Sequence, residues 1–562
     1  MARYAVICAS NQNRSMEAHH VLQKKGFNVN SYGTGTMVRL PGPSIDKPNI
    51  YPFGTPYEQV YQELKSKDPN LYTQNGLLNM LDRNRKTKPA PQRWHESREV
   101  FDVIITCEER CFDAVVEDLV NRGQNLNQST HVINVEIKDN HEDALLGGRA
   151  ILQLAQMIEA STDIDADMDG IIEEFTLRNP SFPILHTLDD EEVPSSSTFD
   201  LSQLPSSFKK FLDDNSIDPA IYTVVDLPRY FRINTGLPKE KWPTLEGLRE
   251  QFKTDQVQEI KGIKGFFSVK LDNVRLSDTQ AYKESAIFGI DVSSAIAVEA
   301  LSITQDDQVL DLCCAPGAKL CMISNLFGKE GVGTVTGVDI AEHRLSTCRS
   351  LLKRYRVGER VRLFKADGTR FSILPPSRIG NRVIHEEHDS KRQKTEIVKP
   401  FWAPKTLRYD RQINHGVLYD KVLVDAECTH DGSIAHILKY EKWGWDSFEK
   451  NFMDSNRLSS ITELQRNLMK QGWRMLKKGG IMVYSTCSLT ISQNEENTAW
   501  FLTEHPDAQI EKIPNYDIQP SPIKKQNIND KLQGALEEHC VRFDPISSCT
   551  SGFFLVKFVK KL

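Results

Sequence analysis

Two series of alternating apolar and amphipathic segments run along the chain, separated by a stretch that has neither pattern. In the first series Tyr4–Cys8 is a short apolar run ending at a polar turn, Glu17–Lys25 has helical character and stops near Gly26, and Phe27–Tyr32 reads as a second strand. Phe101–Thr106 and His131–Ile137 are further apolar runs of strand length, and a helical stretch, Ala150–Ala160, follows. From about Asp189 to Ser206 the periodicity lapses into acidic residues and then Pro194-Ser195-Ser196-Ser197-Thr198, the composition of a linker. The second series has strand-like runs at Gln308–Leu312, Thr334–Asp339, Val361–Lys365, Lys421–Asp425 and Gly480–Ser485. Ile546–Val559 is predicted to add an antiparallel pair turning at Ser551-Gly552. Ser377–His415, rich in Arg, Lys, His and Pro, interrupts this series as an exposed insertion.

Strands alternating with helices predict parallel sheets covered by helices, and so an α/β protein of two doubly wound domains. The expected divisions are 1–188 for the first domain, 189–205 for the linker, 206–290 for a leading segment of the second module, and 291–562 for a Rossmann-like domain with an insertion at about 377–415. The length of 562 residues agrees, being too great for one hydrophobic core. A net charge of −6 supplies no overall basic footprint, so nucleic-acid contact would rest on a local patch.

The opening residues lack the charged-then-apolar pattern of a secretion leader, and no window offers the ~18 to 20 unbroken apolar residues of a membrane span. An intracellular protein without membrane contact is expected, with its 11 cysteines as thiols. No Cys-x-x-Cys pair occurs, Cys107 and Cys111 are wrongly spaced for a zinc knuckle, and Cys313 and Cys314 are adjacent. His385-Glu386-Glu387-His388 has its histidines one residue too close for a metalloprotease helix and reads as a solvated loop. No metal site is expected.

Two regions carry chemistry. After the first strand comes Cys8-Ala9-Ser10-Asn11-Gln12-Asn13-Arg14-Ser15, with five residues between cysteine and arginine at a strand-to-helix turn. Such a turn aims backbone N–H groups at a phosphate, and the helix N-terminus adds positive potential that suits a thiolate nucleophile. Arg14 offers a two-donor fork to phosphate oxygens, and Ser15 a hydrogen bond to the sulfur as it leaves. Asp139 follows the apolar run Val132–Ile137 and so lies at a strand's carboxyl end, where it would protonate a leaving oxygen. Taken alone, Cys8 would be a core thiol and Asp139 a helix N-cap.

These residues, with Tyr32-Gly33-Thr34-Gly35-Thr36, Leu40-Pro41-Gly42-Pro43, Met80-Leu81-Asp82-Arg83-Asn84, Thr106-Cys107-Glu108-Glu109-Arg110 and Asp139-Asn140-His141-Glu142, resemble the Ssu72 family of phosphatases over roughly Met1–Thr187. The resemblance implies a fold like the low-molecular-weight tyrosine phosphatases and removal of phosphate from serine in the C-terminal domain of RNA polymerase II. It also implies a nuclear location, contact with the mRNA cleavage and polyadenylation machinery, and Cys8 as nucleophile, Arg14 as phosphate binder and Asp139 as general acid.

In the second series Val309–Leu312 runs into Cys313-Cys314-Ala315-Pro316-Gly317-Ala318-Lys319, a small-residue loop that lets backbone approach a nucleotide-like cofactor. Asp339 ends the next strand, where it can hold ribose hydroxyls, and Asp367 ends the third, where it can accept from an adenine amine. Asp425-Ala426-Glu427-Cys428 and Ser485-Thr486-Cys487 follow the fourth and fifth strands. Cytosine C5 takes a methyl group only after a thiolate adds at C6, and an acid such as Asp425 assists that addition. Either cysteine alone would read as core.

With Pro228–Asn234, Phe288–Ser294 and Gln493–Asn497, this half resembles the NOL1/NOP2/Sun family of RNA 5-methylcytosine methyltransferases over about Leu204–Leu562. The resemblance implies methylation of tRNA or rRNA, with Cys487 as nucleophile and Cys428 assisting product release. It implies S-adenosyl-L-methionine held by Cys314, Ala315, Pro316, Gly317, Ala318 and Lys319 with Asp311, Asp339, Arg344, Asp367 and Asp425. The family's usual Pro-Cys-Ser is here Glu427-Cys428-Thr429, and Ala318 stands where glycine is common. Arg229, Arg232 and Lys391–Lys394 are candidates to track an RNA backbone. A bifunctional enzyme is the expectation; the alternative is one active half with the other a targeting or binding module. Tyrosine phosphatase activity and DNA as methyl acceptor are weaker readings.

Overall fold

The computed structural model describes the chain except residues 1, 45, 123–129, 162–163, 190–199, 225–226, 271–275, 386–398, 409–415, 435–436, 438–444, 446–454 and 526–528. Most of the expected linker, Lys391–Lys394 and most of the His385–His388 motif lie outside the described residues. The chain divides into two compact units, Met1–Val193 and Pro194–Leu562. Among the described residues no helix is long and apolar enough to cross a membrane.

The first unit is built on a sheet of five strands, in the order Asn28–Gly33, Arg3–Cys8, Val103–Thr106, Thr130–Val135 and Ile184–Asp189. The first four are parallel and the last antiparallel. Its central strands are buried throughout, as strands covered by helices on both faces must be. The helix Arg14–Lys24 follows the first strand directly, and His141–Ala160 begins nine residues earlier than the sequence pattern suggests. Its start is set by Asn140, whose side chain accepts from Asp143 N at 2.8 Å.

The second unit carries a larger sheet in the order Val361–Lys365, Thr334–Asp339, Gln308–Asp311, Tyr419–Asp425, Leu476–Thr486, Phe553–Lys560 and Ala508–Glu511. The first five strands are parallel; Phe553–Lys560 is antiparallel to Leu476–Thr486. A separate antiparallel sheet of four strands, Ile287–Gly289, Arg229–Ile233, Phe266–Val269 and Val257–Glu259, precedes it. Asn234 ties the two together: it donates to Tyr355 O at 2.8 Å and accepts from Asn325 Nδ2 at 3.0 Å. Both units are doubly wound α/β folds, as the alternation of segments implies.

Three expectations are corrected. Ile546–Val559 is not a hairpin: Pro545–Ser548 forms a helical turn capped by Asp544, whose carboxylate accepts from Ser547 N at 2.7 Å. Proline at the first helical position favours that turn, and Phe553–Lys560 pairs instead with Val541–Phe543 and with more distant strands. Gly552 is not a hairpin glycine; a side chain there would come within 2.6 Å of Gly432 Cα. Arg232 does not track RNA. It lies in the middle of the small sheet, 3% exposed, with Nη1 3.7 Å from Glu299 Oε1. The insertion is only partly irregular, since Trp402 exchanges backbone hydrogen bonds with Leu363 and extends the sheet edge.

One ion pair supports the second unit from inside. Arg542 and Glu495 are 2% and 0% exposed, bonded through both carboxylate oxygens at 2.7 Å, and Arg542 also donates to Leu489 O at 2.8 Å. Removing the guanidinium leaves a buried carboxylate unpaired, so Arg542→Ala is expected to cost about 3–5 kcal/mol. Denaturant unfolding followed by tryptophan fluorescence checks this, because six of the seven tryptophans lie in the second unit.

Two candidate active sites

In the first unit Cys8 closes the strand Arg3–Cys8 and Arg14 opens the helix Arg14–Lys24, so the intervening loop sits at the sheet's carboxyl edge. The loop is pinned from outside. Ala9 O accepts from Gly35 N at 2.9 Å, Asn11 O from Tyr57 OH at 2.5 Å, and Gln12 O from Asn84 Nδ2 at 2.8 Å and Arg83 Nη2 at 2.9 Å. Carbonyls drawn outward in this way are how a tight turn offers its N–H groups to an anion. Asn11 adopts φ 52, in the left-handed region, and its Nδ2 donates to Ser15 Oγ and Ser31 Oγ, each at 3.1 Å. Ser15 Oγ in turn lies 3.0 Å from Cys8 Sγ.

Arg14 is 4% exposed and fixed by Ile137 O at 2.9 Å and Glu108 Oε2 at 3.2 Å. Burial works to raise the Glu108 carboxyl, but the Arg14 guanidinium brings it below the usual carboxylate range. Asp139 Oδ1 is 3.4 Å from Arg14 Nε and accepts from Asn13 Nδ2 at 3.1 Å, on a side chain 61% exposed. The three residues expected from sequence are thus together, with the acid on the open side. Asn11, Asn13 and Glu108 are participants that the motif alone does not single out. The left-handed turn at Asn11 was a readable signal, since asparagine tolerates that backbone well.

In the second unit Asp311 ends its strand almost wholly buried and accepts from Cys313 N at 3.3 Å. Burial, and then the nearby charge of Asp425, push its carboxyl up to about 7. Beyond it Cys314 N donates to Val338 O at 3.0 Å, the Ala315–Pro316 bond is cis, and Gly317 adopts φ 113 at the mouth of the helix Ala318–Leu326. Glycine is required at 317 on two counts: that φ, and a Cβ that would come within 3.0 Å of Cys348 Cα. Asp339 closes the next strand, accepts from Ala341 N at 2.9 Å and faces Arg344 Nη1 at 3.9 Å, while Arg344 Nη2 donates to Ala315 O at 3.3 Å. Asp367, half exposed, accepts from Thr369 N at 2.9 Å.

Three acids at consecutive strand ends, facing a glycine turn and a helix N-terminus, are an acceptor set that fits an amino group, ribose hydroxyls and an adenine amine. The donor chemistry of S-adenosylmethionine matches them. Lys319 points elsewhere: its Nζ is 2.7 Å from Asp425 Oδ2, and Asp425 Oδ1 accepts from Ser485 Oγ at 2.7 Å.

Cys428 and Cys487 lie with their sulfurs 3.1 Å apart. Asp431, 0% exposed, clasps their two loops: it accepts from Ser488 Oγ at 2.8 Å and Leu489 N at 2.6 Å, and also from Thr429 Oγ1. Gly432 N donates to Cys487 O at 3.0 Å, and Gly552 N to Gly432 O at 2.8 Å. Burial raises the Asp431 carboxyl above its ordinary range, against the pull of those hydrogen bonds. His430 Nδ1 stands 2.8 Å from Cys487 Sγ and 3.9 Å from Cys428 Sγ. Glu427 is exposed, and its carbonyl, which a proline would also offer, accepts from Gln465 Nε2 at 2.8 Å. Asp431 and His430 are not marked by spacing, because the partners that bring them to the site, Leu489 and Cys487, lie on a loop more than fifty residues away.

Asp311 makes stability depend on pH. Folded, it keeps its proton up to about 7; unfolded, it gives it up near the ordinary aspartate value of about 3.9. Its contribution is therefore whole below that lower value and is lost as pH rises through 7. Asp311→Asn is expected to flatten this part of the profile, seen as a smaller drop in denaturant midpoint between pH 5 and pH 8.

Comparison with known proteins finds matches to both units. Residues 2–189 match the family described as Ssu72-like protein, and residues 298–385 and 401–559 match 16S rRNA methyltransferase RsmB/F. The RNA polymerase II C-terminal domain phosphatase ssu72 of Schizosaccharomyces pombe is 55% identical over 185 residues, 33% of this chain and 94% of that protein. A structure of D. melanogaster Ssu72 with symplekin and a cis peptidomimetic CTD phosphoserine peptide is similar at 50% identity and a TM-score of 0.32, covering 33% of this chain and 97% of that one. NSun6 from Pyrococcus horikoshii with SFG is similar at 16% identity and a TM-score of 0.44, covering 64% and 99%. The chain belongs, through its first unit, to the Ssu72-like phosphatases, and its second unit matches the family described as 16S rRNA methyltransferase RsmB/F.

Proposed function

We propose that both units are catalytic: the first removes phosphate from phosphoserine in the C-terminal domain of RNA polymerase II, and the second methylates C5 of a cytosine in tRNA or rRNA. The observation that carries the methylation reading is the pair of cysteine sulfurs, 3.1 Å apart, beside Asp425 and its Lys319 partner. The proposed divisions are residues 1–188 and 206–562, the latter with a leading segment to 290, joined by 189–205. The likeness to the phosphatase relatives, one of them solved with symplekin, supports a nuclear location and contact with the cleavage and polyadenylation machinery.

In the first unit Cys8 attacks phosphorus while the pinned loop and Arg14 take the charge of the equatorial oxygens. Asp139, on the open side, delivers a proton to the leaving serine oxygen. Ser15, 3.0 Å from Cys8 Sγ, supports the sulfur when water later displaces it from phosphorus.

In the second unit S-adenosylmethionine, when bound, supplies an electrophilic methyl group on a sulfonium centre. Asp311, Asp339 and Asp367 would hold it against the Gly317 turn, with Arg344 bracing Asp339. The target base must be single-stranded or extruded to reach the cysteines. The Cys487 thiolate adds at C6 and turns C5 into a nucleophile, and Asp425 assists at the N3 and N4 edge. After methylation the C5 proton passes to water, the C5–H pair becomes the C5–C6 double bond, and the C6–S pair returns to sulfur. Cys428, in contact with that sulfur, assists release.

Cys8→Ser in the full chain is expected to lower phosphatase turnover on the order of 10³-fold or more while phosphopeptide binding survives; undiminished turnover would remove Cys8 from the role. On incubation with RNA, Cys428→Ala is expected to accumulate covalent protein–RNA adducts, whereas Cys487→Ala forms none and loses methyl transfer. Denaturing gels read both, and the opposite pattern exchanges the two roles. Bisulfite sequencing of RNA with and without the gene identifies the cytosine.

A further inference from the structure

We propose that His430 is a catalytic base that takes the thiol proton of Cys487 and then holds the thiolate as an imidazolium partner. The inference deepens the methyl-transfer reading and rests on Cys487 being its nucleophile.

Three observations carry it. The first is contact: His430 Nδ1 is 2.8 Å from Cys487 Sγ, closer than the 3.1 Å between the two sulfurs. The second is the backbone. His430 adopts φ 55, in the left-handed region where a glycine sits without strain and a side chain is uncommon. An imidazole is held there because the neighbouring residues over-determine the turn, and backbone of this kind concentrates at sites of chemistry. Asp431 clasps the loop on one side, its carbonyl accepts from Tyr222 OH at 2.8 Å, and Ser433 N closes the turn onto His430 O at 3.0 Å. The third is the charge around the ring. Cys428, Glu427 and Asp431 lie within electrostatic reach of His430, Cys487 touches it, and Lys319 lies within electrostatic reach of Cys487. Burial keeps the Cys428 thiol well above its usual range, which leaves it a proton to donate.

The parts then have separate roles. The Nδ1 lone pair takes the Cys487 proton; the S–H bond breaks, an N–H bond forms, and the pair left on sulfur adds to cytosine C6. The thiolate is meanwhile held between two donors, the imidazolium N–H at 2.8 Å and the Cys428 S–H at 3.1 Å. When the sulfur departs with its bonding pair, the imidazolium returns the proton. General bases so placed contribute typically 10²–10⁴-fold.

The test needs neither RNA nor cofactor, so it can fail while the methyl-transfer reading stands. Full-length protein is treated with iodoacetamide between about pH 5.5 and pH 9.5, and alkylation of residue 487 is followed by peptide mass spectrometry. His430→Asn accepts the left-handed backbone without a titrating ring, and His430→Gly accepts it with no side chain. In both, alkylation is expected to fall about 10-fold or more at pH 6.5 and to approach the wild-type rate near pH 9.5, where hydroxide replaces the base. Methyl transfer is expected to lose about 10²-fold near neutral pH and to recover partly at high pH. Profiles superimposable on wild type, or a loss equal at every pH, would overturn the proposal. A variant that does not fold, judged by circular dichroism, is replaced by the other. Should Cys487→Ala retain methyl transfer, the parent reading falls instead.

Discussion

The second site depends on one constraint: two parallel strands, Tyr419–Asp425 and Leu476–Thr486, run side by side in a register that opposes Asp425 to Ser485. Residues just beyond those strand ends must meet, because parallel neighbours release their loops at the same edge and only about 4.8 Å apart. Cys428 and Cys487 are therefore brought together by the ladder before any side chain acts. Asp431 then converts proximity into a fixed arrangement. Its buried carboxylate accepts from Ser488 and Leu489 across the gap between the loops and from Thr429 on its own loop. The close backbone approach of Gly432 and Gly552 completes the lock and explains why neither position has room for a side chain.

The two units solve a common problem by different means. Each needs a reactive sulfur at the carboxyl edge of a parallel sheet. In the first, Cys8 stands at the foot of a loop whose carbonyls are drawn away by Gly35, Tyr57, Asn84 and Arg83, so backbone supplies the polarity that an anion requires. In the second, side chains do so: the Lys319–Asp425 pair, and His430 with Cys428. This division suits the substrates proposed for the two units. A phosphate carries charge on several oxygens and is matched by many N–H groups, whereas a neutral pyrimidine is matched by a few groups set around one ring edge.

The corrections share a cause. Arg232 looks exposed because a run of Arg, Tyr, Phe and Arg suggests a basic face, yet the strand Arg229–Ile233 lies inside a four-stranded sheet and turns that residue inward toward Glu299. Ser551-Gly552 looks like a hairpin turn because glycine follows serine between apolar runs, but the glycine is there for a backbone contact more than a hundred residues away. Trp402 lies in an insertion of irregular composition and still joins the sheet edge. Each error treats a long-range packing requirement as a local one.

Local chemistry made much legible from the chain alone: the alternation that yields two doubly wound α/β units, the Cys8-to-Arg14 loop, the glycine turn at 317, the acids at successive strand ends, and both cysteines. These depend on backbone preference and on residue spacing within a few positions, which a linear string records. Tertiary structure alone decided that Asp139 leans on Arg14, that Lys319 pairs with Asp425 rather than with the loop that carries it, and that His430 and Asp431 belong to the site. Those facts depend on strand register and on the directions in which loops leave neighbouring strands, and both are fixed by the packing of residues far apart in sequence.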